Sequence, residues 1–161
     1  MPDTLSIEVF RKSPLATELT DEQCQVLLQY VTTRILHDDD ILIKEGEVDN
    51  RLHGIYEGAL AVSRSTGGGD WTIIHVLKSG DIAGELGFLD GQEHSATLRA
   101  VGTTKVFSLE REKFEELVPK HPDIVYRVMR SIVREIHAIV RRMNIQYVEL
   151  QNYISKQHGR Y

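Results

Sequence analysis

Residues 80–100 read GDIAGELGFLDGQEHSATLRA. Glycines stand at positions 80, 84, 87 and 91, with Glu85 and Leu86 between two of them. Gly84 lets another molecule come close to the backbone. A short helix over 85–89 would turn its free N–H groups outward, where they favour an anion. Glu85 is suited to accept hydrogen bonds from hydroxyls, and Ser95 with the N–H of Ala96 supplies further donors. Residue types alone make such a stretch a plain turn more readily than a ligand site. What surrounds it decides the fold. Residues 71–77 before it and 105–109 after it are rich in β-branched side chains, so it is a connection inside a β region.

That β region runs over about 41–110. Ile41 and Ile43 alternate with Leu42 and Lys44, and 55–62 is a short apolar stretch around Gly58. Turn residues recur between the runs, at Gly46, at Asp49-Asn50, at 67–70, at Ser79-Gly80-Asp81 and at Gly102. Many short strands with close turns predict a sandwich or barrel, with the hairpin tip at 67–70. Residues 1–37 read as helical. Ser13-Pro14 is an N-cap followed by proline at the first helical position. Thr20 and Gln23 fit a capping box, and Val26, Leu27, Tyr30 and Val31 follow at helical spacing. Beyond the strands, 111–117 is a short helix that stops around Pro119 and Pro122. From Pro122 no proline or glycine appears until Gly159. A helix of about 35 residues would be about 50 Å long. Its apolar positions, Ile132, Ile136, Ile139, Met143, Tyr147, Leu150 and Ile154, recur every three or four residues, close to a coiled-coil seam. The first half has a β domain to pack on. The second half outruns it, which predicts a homodimer.

The chain has 161 residues, a net charge of −5, 41% hydrophobic and 27% charged residues. This is the make-up of a globular domain large enough to hold a core without disulfides or metal. No run approaches the ~20 apolar residues of a membrane span. Met1–Lys12 carries Asp3 and Glu8 and no apolar stretch, so no secretory signal is expected. Cys24 is the single cysteine, which excludes an internal disulfide and fits the cytoplasm. The acidic balance predicts no nucleic-acid footprint, hence no DNA binding by this chain alone.

The ordered set of motifs resembles the cyclic nucleotide-binding domain, as in the catabolite activator protein family and the regulatory subunits of cyclic-nucleotide-dependent kinases. Residues 80–100 look like its phosphate-binding cassette. Upstream, Ile43-Lys44-Glu45-Gly46 and the run ending in Gly58 resemble its two glycine turns. Downstream, Val106-Phe107-Ser108-Leu109 resembles the strand leaving the cassette, Phe114-Glu115-Glu116-Leu117 the next helix, and Pro122 onward the long C-terminal helix. The resemblance covers about 17–145.

It implies a mainly β fold with flanking helices: an eight-stranded β-roll (a double-stranded β-helix, jelly-roll-like) plus a long C-terminal helix. Residues 1–121 would form the N-terminal helices, roll and short helix, and 122–161 the dimerising helix. It also implies cAMP or cGMP as ligand. The cyclic phosphate would lie against Ala83, Gly84, Glu85 and Leu86, with Glu85 on the ribose 2′-hydroxyl and Ser95 and Ala96 beside it. The family's phosphate-pairing arginine is replaced by His94. An arginine offers a planar, permanently charged fork, whereas a histidine offers at most two donors. A charged hydrogen bond contributes about 1.5–3 kcal/mol, so its loss weakens binding about 10–100-fold. Three readings stay open: a weaker or altered cyclic nucleotide sensor, a sensor of another small anion, or a dimeric interaction module with a vestigial pocket. The base-contacting region falls at Glu135–Val140, where Glu135, His137, Ile139 and Val140 are candidates. Ile139 and Val140 also suit a dimer core, and nothing there selects cAMP over cGMP.

Catalysis is not expected. The seven histidines show no metal-ligand spacing. His53 and Glu57 lie four apart, but the two-histidine motif of cupin metalloenzymes is incomplete. His37-Asp38-Asp39-Asp40 reads as a solvated turn. The arginines at 127, 130, 134, 141 and 142 read as a solvated face or as partners of Glu135 and Glu149. A transcription factor of the family would continue into a helix-turn-helix, for which no sequence remains after Tyr161.

Overall fold

The computed structural model describes residues 4–159. Three short N-terminal elements come first. Helix α1 (Ile7–Phe10) is capped by Ser6, and a 3₁₀ turn (Pro14–Ala16) by Ser13 with proline at its start. Helix α2 (Asp21–Leu28) opens on the expected capping box, with Thr20 Oγ1 accepting from the Gln23 N–H and the Gln23 side chain accepting from the Thr20 N–H. Such a cap contributes about 1 kcal/mol.

Helix α2 then stops, and the expectation of helix through residue 37 fails. Strand β1 (Val31–Leu36) pairs antiparallel with residues 104–109. The run Val31-Thr32-Thr33 favours a strand once an edge is offered, and tertiary pairing overrides the helical spacing of Tyr30 and Val31. The acidic triplet that follows is a tight turn. Asp39 has φ of 74°, Asp40 Oδ2 accepts from the His37 N–H, and Asp38 Oδ1 accepts from the Gly102 N–H.

The sheet is built on two long strands, β3 (Arg51–Gly67) and the last strand of the roll, β6 (Thr97–Glu110), paired antiparallel. Strand β2 (Ile41–Ile43) pairs with β6. Strands β4 (Asp70–Lys78) and β5 (Ile82–Ala83) pair with β3, and the hairpin tip lies at 67–70 as expected. Six strands are present among the described residues, not eight. The count differs because β3 and β6 bend without breaking: the register shifts on either side of Glu57 in β3, between its pairing with Lys105 and the neighbouring pairs Ile55–Val106 and Ala59–Val101. Gly58 makes that bend with φ of 86°, and a Cβ there would meet the Thr103 carbonyl and Thr104 Oγ1 at 2.6 Å. The buried Thr104 hydroxyl mends the ladder by donating to the Ala59 carbonyl and accepting from the Ala59 N–H.

Two apolar clusters result. One fills the roll, with Leu36, Ile55, Leu60, Leu98 and Val106. The other joins the roll to its helices, with Phe10, Leu15, Leu27, Phe88, Phe107, Phe114, Leu117 and Ile124. The segment after β6 is two short helices, α4 (Arg111–Glu115) and α5 (Leu117–Lys120), where the sequence suggested one. Pro119 sits inside the first turn of α5, where its missing N–H costs nothing.

Helix α6 (Pro122–His158) has two unlike halves. Ile124, Val128 and Ile132 are fully buried in the domain's own core, so Ile132 is not free to join a seam. Ile136 is half-buried against the same core. Among the described residues, three arginines of this half reach Glu18, between the 3₁₀ turn and α2. Arg127 Nη1 donates to the Glu18 carbonyl, and Arg130 and Arg134 pair with the Glu18 carboxylate. From Val140 onward every described side chain of the helix is exposed, Met143, Tyr147, Leu150 and Ile154 included.

The bend at residue 58 separates two costs. Gly58→Ala combines a left-handed φ with contacts near 2.6 Å and is expected to lose about 2–4 kcal/mol. Gly46→Ala has a similar φ in open space and is expected to lose about half as much. Urea unfolding of both variants checks the difference.

Candidate functional site

The cassette is positioned by the first half of β3. Strand β5 lays Ala83 against His53, and Gly84 then turns the chain with φ of 83° into helix α3 (Glu85–Asp90). This helix lies flat on the segment entering β3. A Cβ on Gly84 would stand 2.7 Å from the Arg51 carbonyl, and one on Gly87 would stand 2.8 Å from the Asp49 carbonyl. Glycine is required at both places because backbone meets backbone there. Gly91 closes α3 in the left-handed region.

Between the cassette, the inner face of the roll and helix α6 lies a cavity of about 330 Å³. All eight residues singled out in the sequence line it: Ala83, Gly84, Glu85, Leu86, His94, Ser95, Ala96 and Ile139. Ile43, Val62, Leu77, Ile82 and Leu98 complete an apolar wall continuous with the roll's core. Of the other candidates on α6, His137 and Val140 are exposed and do not line the cavity. Sequence reasoning missed Asp90, Gln92 and Glu93, which also line it. The wall thus carries three carboxylates, Glu85, Asp90 and Glu93, and one basic side chain, His94.

Burial pushes the Glu85 carboxyl above its ordinary range. Its own backbone N–H pulls it back, and the negative charge of Glu135, one helical turn before Ile139 on α6, adds to the rise. A hydroxyl donor placed against the Glu85 carboxylate would offset part of that burial cost.

His94 is held by its backbone. Its N–H donates to the Glu47 carbonyl, and its carbonyl accepts from the Gly46 N–H. Its ring packs on Gly87, with Cε1 2.8 Å from where a Cβ would stand. The His94 Nε2 is buried and has no hydrogen-bond partner among the described residues.

Beneath the cassette lies a polar chain that the sequence did not disclose. His53, 2% exposed, contacts Ser108 Oγ through Nδ1 at 2.7 Å and Asp49 Oδ2 through Nε2 at 2.9 Å. The sequence paired His53 with Glu57, but Glu57 faces Lys105 in a 3.0 Å ion pair. The available signal was a polar residue between Leu52 and Gly54 in an apolar strand, with a carboxylate four residues earlier. No group of three or more histidines, cysteines or carboxylates able to hold a metal occurs among the described residues. Nor is any helix among them long and apolar enough to cross a membrane.

A roll of this topology closed by a glycine-bracketed cassette is the architecture of a ligand-binding regulatory module. The family model for the cyclic nucleotide-binding domain matches residues 33–121, more than half of the chain, and the protein belongs to that family. The cAMP-activated global transcriptional regulator CRP of Salmonella typhimurium is 29% identical over 139 residues, covering 85% of this chain and 66% of the relative. The chain thus spans just under two thirds of that relative's length. The cAMP-dependent protein kinase regulatory subunit of Dictyostelium discoideum is 31% identical over 97 residues, covering 58% of this chain and 30% of that one. Among solved structures, a cyclic nucleotide-binding domain from Methylobacillus flagellatus superposes with a TM-score of 0.83 over 92% of this chain and 88% of that one, at 19% identity. At that identity the likeness is one of fold.

The raised Glu85 carboxyl has a measurable sign. Its folded pKa lies above the unfolded value, so the folded state holds the proton more tightly and the ionised group costs stability at neutral pH. Glu85→Gln is expected to raise the melting temperature at pH 7.5 by roughly 1–3 °C. The gain should shrink as pH falls and the wild-type carboxyl takes up its proton. Calorimetric scans from pH 7.5 to 5 check both parts.

Proposed function

We propose that this chain is a regulatory, non-catalytic sensor module that binds a cyclic purine nucleotide, cAMP or cGMP, in the cavity under α6. The cyclic phosphate lies against the backbone of Ala83–Leu86, with Ser95 and Ala96 as further donors. The ribose hydroxyl donates to Glu85, and Ile139 covers the base. His94 takes the place of the family's arginine. One observation carries this reading: among the described residues, the only basic side chain lining the cavity stands beside the cassette with a buried ring nitrogen that has no partner. Such a nitrogen is costly unless something completes it.

Output runs through the helices. The charge of Glu135 on α6 adds to the cost of ionising Glu85 on the cassette. A bound ligand would shield that charge and let α4, α5 and α6 settle differently on the roll. The ligand shifts this equilibrium only by its difference in affinity for the two helix positions. The exposed length of α6 from residue 140 gives the dimer seam, with Met143, Tyr147, Leu150 and Ile154 facing a second copy in the cytoplasm. Residues 122–161 are then a unit of output, although their first turns are core of 1–121. DNA is not a partner of this chain by itself.

A second reading has its own observation. Three carboxylates and one imidazole give the cavity wall a negative balance, which favours a less charged ligand, or a scaffold whose pocket has fallen silent.

Calorimetric titration with cAMP and cGMP at pH 6 and pH 7.5 separates the readings. Wild type is expected to bind on the order of micromolar, more tightly at pH 6, where imidazole gains charge. His94→Arg should bind about 10–100-fold more tightly. Binding by the arginine variant alone supports the second reading, and binding by neither sinks the first. For the seam, Met143→Lys with Leu150→Lys is expected to convert a dimer to a monomer in analytical ultracentrifugation. A wild-type monomer at high concentration overturns the dimer.

A further inference from the structure

We propose that the outer stripe of helix α6, formed by Arg141, Ile145, Val148 and Glu149, is a second self-association surface, on which the helix of another copy lies antiparallel. It is separate from the seam of Met143, Tyr147, Leu150 and Ile154, and the contact forms whether or not that seam does.

Helix α6 carries two apolar stripes. The seam residues follow at alternating steps of four and three, the spacing of a coiled coil. Ile145 and Val148 are not on that line. Ile145 is two residues from both Met143 and Tyr147, about 200° around the helix. Residues two apart on a helix do not share a face. Both Ile145 and Val148 are 56% exposed, and a dimer made through the seam alone leaves them in water.

The outer stripe continues a face that is already in use. Arg130, Arg134, Arg141, Ile145 and Val148 succeed one another at steps of four, seven, four and three, so they share one side of α6. At Arg130 and Arg134 that side is engaged by the Glu18 carboxylate. From Val140 onward it is bare, and Arg141, Asn144, Ile145, Val148 and Glu149 line a shallow depression of about 320 Å³.

The charges name the occupant. Ile145 stands midway between Arg141 and Glu149, four residues from each. Within one chain the two charges are about 12 Å apart along the axis, and the Arg141 guanidinium touches the His137 ring instead, at 3.3 Å. With a second copy turned end for end, each Arg141 faces a Glu149, Ile145 meets Ile145, and Val148 closes the apolar centre from both sides. A parallel copy would set Arg141 on Arg141 and Glu149 on Glu149, and that repulsion selects the antiparallel pair. The contact is isologous, the same patch on both copies. It buries less than about 1,200 Å² in total, the size of weak and reversible interfaces, so it fills only where copies are concentrated. Because the two stripes face away from each other, the outer contact would string seam dimers into open-ended rows.

Analytical ultracentrifugation of the ligand-free Met143→Lys, Leu150→Lys protein reads this contact alone. That protein is expected to be a monomer when dilute and to dimerise as its concentration rises, less so in high salt. Arg141→Glu and Glu149→Arg, each added to that background, set like charges opposite one another and should weaken the dimer about 10-fold or more at low salt. An equimolar mixture of these two variants should associate again, since one brings both carboxylates and the other both guanidiniums. Ile145→Lys should leave a monomer at every concentration. Circular dichroism checks that the helix persists in each. A background protein that stays monomeric when concentrated, single charge variants that associate as well as it does, or a mixture that stays monomeric overturns the proposal. Nucleotide titration decides the sensor reading separately.

Discussion

The antiparallel pairing of β3 with β6 is the constraint on which the rest of this molecule depends. Both strands are longer than one face of the roll, and they bend at the same level, with Gly58 against Thr103 and Thr104. The bend lets a single pair of strands form two walls. Its lower half sets His53 opposite both Ser108 and Ala83. One register thus fixes the floor of the cavity, the polar chain beneath it and the entry point of the cassette. A slip of one residue would turn His53 to the other face of the strand and take Ser108 away from it.

The cassette has no regular structure able to stand alone. Helix α3 is six residues long, and an isolated helix of that length does not persist in water. It is held by contact with the carbonyls of Arg51 and Asp49, reached because Gly84 and Gly87 carry no side chain. Selection for glycine here is thus a matter of packing before it is one of ligand access. The two needs coincide: a surface bare enough to rest on β3 is also bare enough for a small molecule on its other side.

Legibility in the sequence followed the range of the interactions. The capping box at Thr20 and Gln23, the proline-started 3₁₀ turn and the hairpin tip at 67–70 are fixed by residues within four positions of one another, and all were readable. Seven of the eight cavity-lining residues named from the sequence lie in one ordered motif, 83–96, and Ile139 was placed by its distance along the helix from Pro122. Strand β1 was not readable, since Tyr30 and Val31 keep helical spacing and only a partner some 70 residues away, in β6, decides otherwise. The strand count was missed because a bend does not interrupt an apolar pattern. Asp49, His53 and Ser108 were missed as a group because no local rule connects positions 53 and 108. For helix α6, periodicity marked which face is apolar but not where the domain ends beneath it. That limit is set by Arg127, Arg130 and Arg134 reaching Glu18.

The two halves of α6 make a lever with its fulcrum near Ile132. The buried part up to that residue is short, and the 26 residues from 133 to 158 that follow it, the last 19 of them exposed, span about 39 Å at ~1.5 Å per residue. A tilt of only about 5° at the fulcrum carries the far end through roughly 3 Å, about the rise of two helical residues. Small differences in how the cavity is filled are thereby magnified at the tip. Under the proposed helix shift the same geometry would work in reverse: a load on Tyr153 or Ile154 would be felt at Glu135 and Ile139 with a mechanical advantage, so whatever grips the end of the helix would also set how tightly the cavity closes.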